Sequence, residues 1–114
     1  MSSEVVTLVK EEVTKLLTAK FIRPAKYVEW IANIVPVIKK NGKIRVCIDY
    51  RDLNKATPKD EYLMSLADIL IDATTRNMFL SLMDGYAGYY QIRLNESDCH
   101  KTAFKCPGSL GTYE

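Results

Sequence analysis

The sequence predicts an α+β fold. Three observations predict it. An N-terminal segment repeats its apolar residues at helical spacing. Two apolar runs are joined through Asn41-Gly42, the second run alternating strictly. A third apolar run, Met78 to Met83, ends at a single carboxylate, Asp84, and is followed at once by Gly85, Tyr86, Ala87, Gly88, Tyr89 and Tyr90.

The N-terminal element is a helix. Ser2 or Ser3 can cap it, and Glu4, Glu11 and Glu12 weight its first half with negative charge. Val5, Val9, Val13, Leu16 and Leu17 recur at steps of about 3.6 and form one apolar face. The helix ends near Lys20, because Phe21-Ile22-Arg23 precedes Pro24 and the residue before a proline is pushed to extended backbone. Its stripe suits a scaffold helix; a helix-dimer role is the alternative.

Residues 25–34 read as an irregular connection carrying Tyr27 and Trp30. Ile34 to Ile38 is strand-like, with Pro36 placing it at an edge or an irregular point. Asn41-Gly42 then predicts a tight hairpin in which both central residues take positive φ. The return strand runs from Lys43 to Arg51. Ile44, Val46, Ile48 and Tyr50 face one way; Lys43, Arg45, Cys47, Asp49 and Arg51 face the other. A tip with Lys39, Lys40 and Lys43, beside Arg45 and Arg51, is shaped to meet phosphates, since arginine forks match phosphate oxygens and lysines act as point charges. The same lysines would also discourage strand-on-strand aggregation at an edge.

Asp52 to Asp60 is rich in turn residues and predicts a loop. Ser65 caps a short helix, Leu66 to about Ala73, with Leu66, Ile69 and Leu70 inward. Thr74 to Asn77 is a turn, and Met78 to Met83 a strand delivering Asp84. A carboxylate at a strand end, followed by glycines, is a way to present oxygen to a metal; Asp-Gly is also a common turn pair. Tyr86 to Gln91 reads as a helix weakened by Gly88, Asn95 to Asp98 as a turn, and Thr102 to Cys106 as a strand. Pro107-Gly108 is a turn, and Thr112-Tyr113 begins a strand in which the sequence looks cut.

At 114 residues the chain is one domain or a piece of one, and its 47% apolar content supports a core. No apolar run reaches 18 residues, so no membrane is expected, and the N-terminus has no secretory pattern. Localisation defaults to the cytoplasm, with the nucleus open. Cys47, Cys99 and Cys106 cannot all pair and read as reduced thiols. A zinc site from these and His100 lacks any C-x2-C or H-x3-H spacing. The net charge of +2 is uneven. Residues 20–59 hold ten basic groups against three acids, whereas residues 60–114 hold eight acids against four basic groups. A basic half beside an acidic one suits a polyanion held against a metal-binding carboxylate, or two solvated faces of unequal sign.

With the hairpin, the string IRVCIDYRDLNKATPKDEY, the string MDGYAGYYQI and the following KTAF in view, the chain resembles a reverse transcriptase, and within that family the polymerase of gypsy-type long-terminal-repeat retrotransposons. The similarity runs from about Val5 to Glu114. It implies a right-hand polymerase fold in which residues 1–77 are mainly fingers and residues 78–114 the start of an incomplete palm. It implies RNA-directed DNA polymerisation, with an RNA or DNA template-primer and a deoxynucleotide (dNTP) as partners and two Mg²⁺ ions as cofactors. Asp84 matches the first catalytic carboxylate, and the backbone carbonyl of Gly85 a further metal ligand. Tyr89 matches the residue that packs under the deoxyribose and excludes a 2′-hydroxyl; as a bare residue it also suits a core position. Arg45 matches an arginine that reaches the triphosphate, with Lys39, Lys40 or Lys43 as companion. Arg51 and Asn54 fall where template contacts are expected.

Departures from the family pattern are equally specific. No Asp-Asp pair occurs, and the closely spaced acids, Asp60 with Glu61 and Glu96 with Asp98, lie in expected turns. The thumb and RNase H segments are absent. Lys20 stands where a glycine is usual, and Val28, Ile38, Leu63 and Ser65 where prolines are often seen. The expectation is a truncated segment that does not catalyse by itself, with salt-dependent nucleic-acid binding or an unstable relic as the alternatives.

Overall fold

The computed structural model describes residues 1–114. The chain divides into two units, residues 1–57 with 93–114, and residues 58–92.

The larger unit is a helix on a four-stranded mixed sheet. Helix α1, Ser3–Thr18, is capped by Ser2, whose hydroxyl accepts from the Val5 N–H at 3.4 Å. Its 3.6-residue stripe buries Val9 and Val13 completely or nearly so. The helix closes with two reverse bonds, from the Lys20 N–H to the Leu17 carbonyl and from the Phe21 N–H to the Leu16 carbonyl, each 3.0 Å. That pairing requires a left-handed residue just past the helix, and Lys20 supplies it at φ +60°.

The strands are β1 (Ala32–Ile38), β2 (Ile44–Ile48), β3 (Phe104–Lys105) and β4 (Thr112–Tyr113), in spatial order β2-β1-β3-β4. β1 pairs antiparallel with β2 and parallel with β3, and β3 pairs antiparallel with β4. β1 begins two residues earlier than its apolar run, because Ala32 and Asn33 are recruited by β3. Pro36 opposes Val46. The Lys39 N–H bonds the Lys43 carbonyl and the Asp49 N–H the Asn33 carbonyl, so odd-numbered β1 residues carry the ladder bonds. Pro36 therefore points its missing donor away from β2, beyond the two residues that β3 covers.

The core gathers Val9, Val13, Ile34, Phe104 and Cys106, with Ile44, Val46, Ile48 and Tyr113 half-buried around it. The alternation of the return strand thus puts its aliphatic side under α1. After α1, residues 23–25 run beside the C-terminal strand: Pro24 bridges Tyr113, and Arg23 and Glu114 exchange both backbone bonds. The Arg23 side chain closes the same corner, with Nε 2.9 Å from Glu114 Oε1 and Nη2 2.9 Å from Glu96 Oε2.

Several expectations are corrected. Asn41-Gly42 does not form a two-residue turn with two positive φ angles. Gly42 alone is left-handed, at +77°; its N–H bonds the Lys39 carbonyl, and Lys39 and Lys43 close the ladder. The connection is the three-residue Lys40-Asn41-Gly42, with Gly42 as the bulge residue. The return strand stops at Ile48, and Arg51–Ala56 is a helix, α2, rather than strand end and loop. Asp49 Oδ1 accepts from the Arg51 N–H at 3.2 Å and turns the chain into it, while Pro58 follows its end. Asn95 to Asp98 is not a bare turn but the capped start of α4, Glu96–Cys99.

The smaller unit departs further. Helix α3, Ala67–Thr74, starts after Leu66, and Ser65 does not cap it. Leu66, Ile69 and Leu70 are exposed rather than inward. Met78 to Met83 is not in a strand. A strand exists only with a ladder partner, and none runs beside this one. Tyr86 to Gln91 forms only a short 3₁₀ turn over Gly88–Gln91, entered through a left-handed Ala87 at φ +48°. Of residues 58–92 none is buried, and only Thr74 is half-buried.

Candidate nucleotide and template site

The residues singled out by the sequence are divided between the two units. Arg45, Lys39, Lys40, Lys43, Arg51 and Asn54 lie in the larger one; Asp84, Gly85 and Tyr89 lie in the smaller one.

In the larger unit the hairpin presents its cations outward. Lys39, Lys40 and Lys43 sit at the connection, Arg45 is the second residue of β2, and all four are exposed and free of ion pairs. Arg45 opposes Val37 across the ladder, on the face away from α1. Arg51 is engaged. Its Nε and Nη2 reach Asp49 Oδ1 and Oδ2 at 2.8 and 2.6 Å, a bidentate fork. The Arg51 guanidinium, then its backbone N–H, hold the Asp49 carboxyl down at about 2, below its ordinary 3.8. The Arg51 guanidinium is raised in turn. Asn54 lies exposed one turn further along α2.

The alternation puts Asp49 on the polar face of the strand and gives it no further role. Asp49 also lines a shallow cleft of about 80 Å³ with Trp30, Asn33, Tyr50, Asp52 and Lys101. The Tyr50 hydroxyl donates to the Thr102 carbonyl at 2.7 Å, tying the start of α2 to the segment before β3. The Asp49–Arg51 pair is local: the Asp49 side chain accepts from the N–H two residues on, and the same turn brings the Arg51 guanidinium back onto the Asp49 carboxylate.

In the smaller unit Asp84 is exposed, and its backbone carbonyl accepts from the Tyr86 N–H at 3.1 Å. The Gly85 carbonyl accepts from the Gly88 N–H at 3.1 Å, which leaves it one lone pair. Tyr89 is 98% exposed, so here it is not a core aromatic. No group of three or more His, Cys, Asp or Glu side chains is placed to hold a metal, so neither the Mg²⁺ set nor a zinc set from Cys47, Cys99, His100 and Cys106 is assembled. Mg²⁺ requires near-octahedral oxygen ligation, and a lone carboxylate with one carbonyl does not fit it. The three cysteines are free thiols, and burial pushes that of Cys106 up to about 11. No helix is long and apolar enough to cross a membrane.

Comparison with known proteins supplies the frame for these pieces. The chain is 37% identical over 106 residues to the enzymatic polyprotein of Soybean chlorotic mottle virus, covering 86% of this chain and 15% of that protein. It is 30% identical over 106 residues to the Transposon Tf2-3 polyprotein of Schizosaccharomyces pombe, covering 90% of this chain and 8% of that protein. The chain thus spans a small fraction of the polyproteins it matches. Residues 37–113, more than half of the chain, match the family model of the reverse transcriptase (RNA-dependent DNA polymerase). That segment contains the hairpin connection with β2, the Asp49–Arg51 pair, Asp84 and Tyr89, and on this ground the chain belongs to the reverse transcriptase family.

Proposed function

We propose that the chain is the fingers and the first part of the palm of a gypsy-type retroelement polymerase, with residues 1–77 mainly fingers and 78–114 the start of the palm. The polymerase to which it contributes adds dNTPs to a primer 3′-hydroxyl on an RNA or DNA template. Arg45 meets the triphosphate, with a lysine among Lys39, Lys40 and Lys43. Arg51 and Asn54 meet the template backbone, Asp84 and the Gly85 carbonyl would hold a metal only together with carboxylates supplied by the rest of that polymerase, and Tyr89 selects the deoxy sugar. One observation carries this reading: a single family segment, residues 37–113, spans both the basic tip of the hairpin, with Arg45, and Asp84. The similarity to a transposon polyprotein supports the retroelement part.

The chain by itself does not polymerise, because Asp84 has no companion carboxylates. Primer extension on an RNA template with Mg²⁺ and dNTPs is expected to give no template-dependent product. Product that disappears in Asp84→Asn would overturn this. In a polymerase completed by grafting residues 37–113 over the matching segment of a relative, Asp84→Asn abolishes extension and Tyr89→Ala admits ribonucleotides. Retention of full sugar selectivity by Tyr89→Ala would remove the gate.

A second reading has its own observation. The four unpaired hairpin cations suit sequence-independent binding of a nucleic-acid backbone without catalysis. Replacing Lys39, Lys40 and Lys43 together by alanine then weakens RNA binding and flattens its salt dependence; unchanged binding would refute it.

A further inference from the structure

We propose that Asn41 is a self-modification site, at which the hairpin tip converts an amide into a carboxylate and so reduces its own positive charge. Asn41 and Gly42 stand exposed at the end of the hairpin, and a Cβ built on Gly42 would meet nothing within 4 Å. Gly42 carries no side chain of its own to hinder the approach of its nitrogen to the Asn41 amide, as any other residue at 42 would. The Lys43 N–H donates to Asn41 Oδ1 at 3.2 Å and draws electron density from Cγ. Lys39, Lys40 and Lys43 flank the pair in the chain and add positive charge to the tip, which favours an anionic backbone nitrogen. One contact opposes the step. The Gly42 N–H bonds the Lys39 carbonyl at 2.9 Å, so the turn must open first, and the end of an exposed hairpin is where local opening costs least.

The chemistry needs only water. The Gly42 amide gives its proton to solvent base, and its nitrogen pair forms a bond to Asn41 Cγ. The Cγ–Nδ2 bond breaks, and ammonia leaves with a proton from water. Water then adds to either carbonyl of the cyclic imide. Addition at Cγ breaks its bond to the Gly42 nitrogen, which takes a proton back, and restores a normal backbone with aspartate; addition at the main-chain carbon breaks that carbon's bond to the nitrogen and gives isoaspartate, with an extra carbon in the backbone. Either product carries a carboxylate among three lysines.

The other four asparagines provide internal controls. Asn33 lies in β1 before Ile34, and Asn54 in α2 before Lys55. The Asn77 side chain donates to the Ala73 carbonyl at 3.2 Å, and the Asn95 oxygen caps α4. Each is followed by a residue with a side chain.

The test incubates the whole chain at neutral and mildly alkaline pH. It then measures, residue by residue, the mass gain of amide-to-acid conversion, and isoaspartate by enzymatic methyl transfer. Asn41 is expected to convert about tenfold or more faster than each other asparagine, and faster as pH rises. Conversion no faster than at Asn54 or Asn77 would overturn the proposal. The effect on binding rests on the nucleic-acid reading above. Aged protein and the variant Asn41→Asp are both expected to bind single-stranded RNA more weakly, with a shallower salt dependence. Equal binding by fresh and aged protein would overturn the charge effect. Fresh protein that binds no RNA would overturn the nucleic-acid reading, while the mass measurement still decides the conversion.

Discussion

Lys20 shows how one residue can work against the element it ends. The reverse bonds that close α1 need a left-handed residue, and an L-residue with a Cβ is strained there by about 1–2 kcal/mol. Glycine removes that strain but loses about 0.5–1 kcal/mol more backbone entropy on folding. The strain wins, so Lys20→Gly is expected to raise stability by about 0.5–1 kcal/mol, read as a higher urea midpoint at unchanged slope; a lower midpoint would refute it. Asp49 offers a second test. Its folded pKa of about 2 lies below the ordinary 3.8, so the pair with Arg51 stabilises fully above about pH 4 and is lost as pH falls through 2. The stability difference between the native chain and Asp49→Asn should therefore shrink across that window, followed by circular dichroism; a constant difference would exclude the pair as its cause. Asp49→Asn also frees the Arg51 fork and is expected to strengthen RNA binding. Cys106, buried and with its thiol raised to about 11, should resist alkylation at pH 8 while Cys47 and Cys99 react.

The two long helices contrast at the level of elements. α1 has an apolar stripe with a sheet beneath it, and Val9 loses all contact with solvent. Val9→Ala removes the equivalent of about two methylenes and is expected to destabilise by about 2 kcal/mol, including the cavity left behind. α3 carries Ile69, Leu70 and Ile71, each more than half exposed. Ile71→Ala should change stability by less than about 0.5 kcal/mol. Thermal unfolding of the two variants checks both, and equal losses would contradict the packing described. The hairpin shows a finer distinction. Asn-Gly announces a turn, but two turn types share that signature. The type is set by which residue pair closes the ladder, here Lys39 with Lys43.

Over the whole molecule, order is unequally distributed. The larger unit owns every buried residue, and residues 58–92 own none. Amides of α1, β1 and β2 are therefore expected to exchange slowly with deuterium, and those of 58–92 rapidly. Slow exchange at 79–83 would mean that this segment has found a ladder partner. Tyr62, Leu63, Phe79, Leu82, Met83 and Tyr86 are each at least 80% exposed, more apolar surface than a short soluble segment ordinarily presents.

The sequence by itself determined the elements whose signals are local. The helix stripe, its serine cap, the presence of a hairpin at Asn41-Gly42, the alternation of the return strand as far as Ile48 and the turn at Pro107-Gly108 depend on neighbours within a few residues, and these were legible; the type of the hairpin turn and the end of the strand were not. The family was legible for a related reason, since its motif strings are short and ordered. Only the tertiary structure decided the rest. Ala32 and Asn33 became strand because β3 lies beside them, Arg51 became helix because Asp49 captured its N–H, and Met78 to Met83 stayed out of the sheet because no strand paired with it. The site divides in the same way. Arg45 and the lysines are placed by one hairpin and could be read from alternation. Whether Asp84 acquires companions depends on residues distant in the chain, and carboxylates converge only where a fold brings their strands together.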